Sequence, residues 1–296
     1  MTYFLNFRGR PTGGGLRDVV AVNQVMIGSG GPVVSNPDPL VTDLAKVVLG
    51  KNVLLATHGF KVNQQEGYAE LGNWQALLQL DDSYLFIGIV WPGDSSWLGP
   101  LCYPGEGKHA IDCGNLLATF ISTYLVGADS ISFVSHSLGA RFILQTIVKL
   151  DGSIPVRQIA LMAGAIDDDC LTAEYKDATA RIGKIDILAS VKDEVLSKAF
   201  PVGNVFEGII EKGHPYWSAA LGHRGPRKVI PGKPTGVYQI PSGWNYGHGN
   251  YIEVESQLNP PLALPQDVPP EGSPEPTTQL GWQPSWSAAF VSTRFK

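Results

Sequence analysis

The sequence predicts an α/β fold: a mostly parallel central sheet with helices on both faces, followed by a proline-rich C-terminal arm. Three observations predict it. From Val53 onward, short apolar runs alternate with helical patterns, and such βαβ units bring successive strands together in parallel. The runs are near-continuous in apolar residues, as strands covered on both faces must be. Finally, 296 residues that are 44% hydrophobic and only 17% charged can bury one large core.

Residues 1–50 are mixed, with Gly13-Gly14-Gly15 and Gly28-Ser29-Gly30-Gly31 as turns. Around them, Asp18–Val22 and Pro32–Val34 read as short strands of a leading antiparallel edge. Neither glycine cluster sits between strand and helix with a Lys-Ser/Thr ending, so neither is a phosphate cradle. Asn52–Thr57, leading into His58-Gly59-Phe60, is a buried strand, and Leu85–Trp91 is another. Between His109 and Leu125, Cys113, Leu116, Leu117, Phe120, Ile121 and Tyr124 recur at helical spacing and make one apolar face. A strand at Ile131–Val134 runs into a second helix carried by Leu138, Phe142, Leu144, Ile147, Val148 and Leu150, which stops at Asp151-Gly152. Gln158–Ala163, Ile185–Ala189 and Gly236–Ile240 complete the strands.

This domain is expected to span residues 1–257, with the arm at 258–296. In the arm, Pro260, Pro261, Pro265, Pro269, Pro270, Pro274, Pro276 and Pro284 rule out a regular helix or central strand across most of its length. Trp282, Trp286, Phe290 and Phe295 then make its end aromatic. The expectation is an extended arm whose end packs on its own domain or on a neighbouring subunit of a homo-oligomer; the alternative is a flexible tail.

Formal charge is −5, from 22 Lys+Arg against 27 Asp+Glu, a balance that favours neither nucleic acid nor anionic membrane as partner. Met1–Arg8 has no basic region followed by a long apolar one, and no run approaches the ~20 apolar residues of a spanning helix. A cytoplasmic location is the expectation. Cys102, Cys113 and Cys170 are too few and too scattered for a zinc site, so no metal or cofactor is expected. Buried thiols are expected, with a Cys102–Cys113 bridge as the alternative in an oxidising compartment.

Chemistry concentrates in Ser135-His136-Ser137-Leu138-Gly139. A serine between small residues, placed where a strand passes straight into a helix, is the layout of a nucleophile elbow. Ser135 stands where the usual G-x-S-x-G has glycine, so the pattern here is S-x-S-x-G. Upstream lies His58-Gly59-Phe60; downstream lie Asp193, after the Ile185 strand, and His248 in Gly247-His248-Gly249. The chain order is Ser…Asp…His, unlike the orders of the two best-known serine protease folds.

Together these motifs resemble the α/β-hydrolase superfamily of serine esterase and lipase type. The His-Gly-Phe start, Trp91-Pro92-Gly93 and the Ser-His-Ser-Leu-Gly elbow are similar to a bacterial α/β-hydrolase group of uncharacterised function, over roughly residues 50 to 255. The resemblance implies a serine hydrolase acting on a small-molecule ester, with Ser137 as nucleophile and His248 as its base. Lys192–Leu196 resembles the family's acid turn and points to Asp193; Asp167, Asp168 and Asp169 are the rivals. Backbone N–H groups of Phe60 and Leu138 are the oxyanion-hole candidates. His136, Trp91 and Trp97 are substrate-pocket candidates, packing being the competing role for the tryptophans. His58, His109, His214 and His223 match the base's position less well than His248. A serine at the elbow argues against the branches that need a carboxylate nucleophile. Short to medium acyl esters are the expected substrates, since no dedicated lid domain is evident. Lipase, thioesterase and amidase use the same parts, and a non-catalytic binding protein on this fold is the remaining alternative.

Overall fold

A computed structural model of the chain describes residues 1–36, 41–94, 103–200, 219–253 and 282–295. Among them, nine strands hydrogen-bond into one sheet: β1 (Thr2–Arg8), β2 (Leu16–Gly28), β3 (Gly31–Asn36), β4 (Asn52–Thr57), β5 (Tyr84–Val90), β6 (Ser130–His136), β7 (Val156–Met162), β8 (Ile182–Ser190) and β9 (Thr235–Ile240). Their spatial order is β3-β2-β1-β5-β4-β6-β7-β8-β9. From β1 to β9 every neighbouring pair is parallel. Only β2 runs opposite to the other strands, forming the antiparallel edge with β1 and β3. The described helices are α1 (Val41–Val47), α2 (Gln64–Gln75), α3 (Tyr103–Tyr124), α4 (Gly139–Lys149), α5 (Lys176–Arg181), α6 (Leu221–Arg224) and α7 (Trp282–Arg294).

Apolar residues divide by strand alternation, because successive side chains point to opposite faces. Leu55, Ile89, Phe133 and Leu161 pack with Leu117 and Ile121 of α3 and Phe142 and Ile147 of α4. Leu54, Ala56, Val134 and Ala160 pack on the other face with Tyr68, Leu71 and Trp74 of α2 and Trp286 and Phe290 of α7. Helices therefore cover both faces, which explains the continuous apolar strands.

Among the elements that go beyond the sequence reading, three bear on the site. Strand β1 lies between β2 and β5 and carries Asn6 and Arg8, both buried. Helix α2 begins with a capping box, in which Asn63 Oδ1 accepts from the Glu66 N–H and Glu66 returns the bond to the Asn63 N–H. The aromatic end of the expected extended arm is the helix α7. Pro284 falls in its first turn, where the missing N–H has no intrahelical partner to lose. The arm's other prolines, in 258–281, lie outside the described residues, as do Trp97 and Cys102. Cys113 and Cys170 are buried, Cys170 as a free thiol. Among the described residues, no helix is long and apolar enough to cross a membrane.

Candidate active site

Ser137, His58, Asp193 and His248 all stand just beyond the C-terminal ends of strands, after β6, β4, β8 and β9 respectively. Parallel topology makes this one edge of the sheet, where open α/β folds gather their loops.

Ser137 has φ of 55°, a left-handed backbone that few residues other than glycine adopt. Neighbours hold it there. Its N–H donates to the Met162 carbonyl at 3.0 Å, and its own carbonyl accepts from the Ala140 and Ala165 N–H groups at 3.1 Å each. The turn brings the loop after the neighbouring strand β4 very close. A Cβ added to Gly139 would lie 2.7 Å from Thr57 Cγ2 and 2.9 Å from the His58 carbonyl oxygen, so position 139 admits only glycine. The contact at Ser135 is looser, 3.5 Å from that same Cβ position to the Ser135 Cβ, and serine fits where the usual pattern has glycine. Likewise, a Cβ on Gly59 would sit 2.7 Å from Ser137 Cβ. The His-Gly loop thus lies directly against the serine.

The structure brings Ser137, His248 and Asp193 into one hydrogen-bonded line. Ser137 Oγ lies 2.8 Å from His248 Nε2, and His248 Nδ1 lies 2.7 Å from Asp193 Oδ2. A carboxylate only accepts, so the Nδ1–H donates to it and Nε2 is left to accept the serine proton. Asp193 is fully buried; its other oxygen accepts from the Leu196 N–H at 2.9 Å, at the start of a short π-helical turn. Asp168 and Asp169 face Arg227, at 2.6 and 3.8 Å, and Asp167 forms a bridge with Ala220. His223 bonds the Val191 carbonyl, and His214 lies outside the described residues.

His58 braces the loop that carries Gly59. Its Nδ1–H donates to the Gly59 carbonyl at 2.9 Å, and its Nε2 accepts from the Trp91 N–H at 3.2 Å. Burial, with help from the nearby Arg8 charge, pushes its pKa down to about 3, so the ring stays neutral. Trp91 is fully buried, stacked on His58 with ring centres 5.7 Å apart, and its Nε1–H donates to the His58 carbonyl at 3.1 Å. It therefore packs behind the loop instead of presenting a face to a pocket. His136 is also buried, and its Nε2–H donates to the His248 carbonyl at 2.7 Å.

Two features were not foreseen from sequence. The guanidinium of Arg8 is buried and donates to the carbonyls of Trp91 and Val62 at 2.9 and 3.2 Å, and to the carboxylate of Asp94. Asp94 also accepts from the Gly13 N–H. The available signal was an arginine ending an otherwise apolar segment. The second feature is a group of carboxylates, Glu66, Glu70 and Glu253, of which Glu253 lies near His248. Burial pushes Glu70 up to about 8, with Glu253 and Glu66 adding to the rise, and burial raises Glu253 against the opposing pull of His248.

Comparison with known proteins places this geometry in context. The family described as alpha/beta hydrolase of unknown function (DUF900) matches residues 36–221, a span that holds His58, Ser137 and Asp193 but ends before His248. No curated protein matches the chain. Among solved structures, it is similar to esterase PE8, at 15% identity and TM-score 0.36 over 71% of this chain and 88% of that one. It is also similar to acetyl xylan esterase 1 from Thermoanaerobacterium sp. JW/SL YS485, at 12% identity and TM-score 0.38 over 83% and 82%. A third is an uncharacterized protein from Bacillus cereus ATCC 10987, at 16% identity and TM-score 0.40 over 68% and 55%.

Proposed function

The chain belongs to this family of α/β hydrolases of unknown function, and on that premise we propose that it is a serine hydrolase that cleaves carboxylic esters through an acyl-Ser137 intermediate. The observation that carries the reading is the unbroken line Ser137 Oγ–His248 Nε2, His248 Nδ1–Asp193 Oδ2, at 2.8 and 2.7 Å. A serine hydroxyl barely ionises near neutral pH, so it must surrender its proton as it attacks. His248 takes that proton at Nε2, and Asp193 stabilises the resulting imidazolium through Nδ1–H. The ester carbonyl becomes a tetrahedral oxyanion. As it collapses, the C–O bond breaks and the leaving alkoxide receives the proton from His248. Water, deprotonated by His248 in the same way, then attacks the acyl carbonyl; the acyl–Oγ bond breaks, Ser137 takes the proton back from His248, and the acid leaves.

The oxyanion needs preorganised donors. The Leu138 N–H stands at the start of α4, where helical N–H groups lack intrahelical partners, and the Phe60 N–H follows Gly59 in the loop pressed against Ser137. Among the described residues, neither N–H donates to a protein acceptor. Each such donor contributes about 3 to 4 kcal/mol to lowering the barrier.

Hydrolysis of p-nitrophenyl esters from acetate to palmitate, by wild type and by Ser137→Ala, tests the proposal. Turnover that peaks at short to medium chains and disappears in the variant is the expected result. A folded wild type that hydrolyses none of the esters, or a variant as fast as wild type, refutes it.

A further inference from the structure

We propose that His136, the residue between Ser135 and Ser137, is a positioning residue that holds His248 in register through the His248 main chain. The inference rests on the serine hydrolase reading above and concerns the same site.

His248 sits in a one-turn 3-10 segment with glycine on either side, the most freely rotating backbone a chain can offer. Asp193 holds its ring at Nδ1 and Ser137 Oγ lies against Nε2, but contacts to the ring alone do not fix the backbone that carries it. The second restraint comes from His136. Its Nε2 lies 2.7 Å from the His248 carbonyl oxygen, and a carbonyl can only accept, so the proton is on Nε2. The two rings lie 5.0 Å apart, tilted by 41°, and the Tyr251 ring lies 5.7 Å from His136. His248 is therefore held at both ends, its ring by the loop after β8 and its carbonyl by the last residue of β6.

The placement is economical in geometry. His136 is adjacent in sequence to Ser137, whose conformation is locked by the contacts of the elbow, so nucleophile and base are referenced to one rigid strand end. It also suits the charge. Burial, reinforced by the neighbouring His248, keeps the His136 ring neutral, with its pKa lowered to about 3. A ring that stays neutral can clasp the base without repelling the imidazolium that forms on it. A lysine or arginine in the same place could donate the same bond and would oppose that charge.

The test uses two variants of the full chain. In His136→Gln the amide Nε2 reaches the place of the ring nitrogen and keeps the donor. In His136→Phe the ring volume is kept and the donor is lost. Each is assayed for kcat and KM on the best p-nitrophenyl ester, for the rate of Ser137 labelling by a fluorophosphonate, and for Tm. Because small displacements of a base are costly, His136→Phe should lose kcat and labelling rate by about 10- to 100-fold. Its KM should stay within about twofold, the pattern of a lost transition-state interaction. His136→Gln should recover most of the loss. If His136→Phe does not fold, His136→Met, flexible and without a donor, replaces it with the same expected split.

A folded donor-less variant with wild-type kcat overturns the proposal. So does an equal loss in both variants with KM raised, which assigns His136 to the pocket wall. A wild type that neither hydrolyses esters nor reacts with the fluorophosphonate overturns the serine hydrolase reading and this inference together; a reactive wild type with an unaffected His136→Phe overturns the inference alone.

Discussion

At Asp193 both carboxylate oxygens are committed, one to the His248 Nδ1–H and one to the Leu196 N–H. Replacing it with asparagine keeps the shape and spoils the proton arrangement. The amide has one acceptor for two donors, and turning its NH2 toward His248 leaves the Nε2–H facing Ser137. In Asp193→Asn, kcat should fall on the order of 10³- to 10⁴-fold with the fold intact, as measured by ester hydrolysis and circular dichroism. Asp168→Asn, which weakens the pairing with Arg227, should retain activity. At this scale the sequence was informative where chemistry dictates residue type. That a serine at an elbow, a histidine between glycines and an aspartate after a strand come together was readable because few side chains suit the proposed chemistry at those places. His136 and Arg8 were not, because they donate to main-chain carbonyls, and a carbonyl leaves no mark on residue identity.

Helix α7 acts on the histidine loop at the scale of an element. Tyr246 donates its hydroxyl to the Gln283 carbonyl, and Ser287 donates to the Tyr251 carbonyl, so the segment on either side of His248 is tied to one helix. Trp74 of α2 donates to the same Ser287 hydroxyl at 2.9 Å, and Trp286 packs edge-on against Trp244 and Tyr246. In Ser287→Ala, the buried indole N–H and the Tyr251 carbonyl both lose their partner, which should cost about 1 to 3 kcal/mol. Denaturant unfolding measures that loss, and kcat should fall with it as the His248 loop loosens. The reason α7 was not legible is local. A segment dense in proline precedes it, Pro284 stands inside it, and its apolar spacing at Trp286, Ala289 and Phe290 is short. β1 was obscured differently, because Asn6 and Arg8 interrupt its apolar run while both are buried. The parallel strands, by contrast, were readable from burial on two faces.

For the molecule as a whole, buried titratable groups set how stability depends on pH. His58 and His136 are held neutral to about pH 3, whereas in the unfolded chain each protonates near 6.5. The unfolded state therefore binds more protons as pH falls through that window, and stability is lost at about 1.4 kcal/mol per pH unit for each histidine. Glu70 works in the other direction. Its carboxyl is raised to about 8 from 4.5, so a penalty present at high pH is relieved as pH falls from 8 to 4.5. The three together predict a net loss of about 1.4 kcal/mol per unit between pH 6.5 and 4.5, roughly doubling from there to pH 3. Unfolding free energies measured across this range should show the steepening, and His136→Gln should flatten the whole profile. An unchanged slope in that variant would contradict the assignment of its proton uptake to position 136.

The clamp of α7 on the histidine loop also bears on how the protein is made. The ribosome produces Ser137 early and must add 111 more positions before His248 exists, a delay of roughly 6 to 20 seconds. The helix that steadies the loop follows later still. A nascent chain thus carries the proposed nucleophile without its base for those 111 positions, and the last described element to follow is the one that steadies the loop of that base.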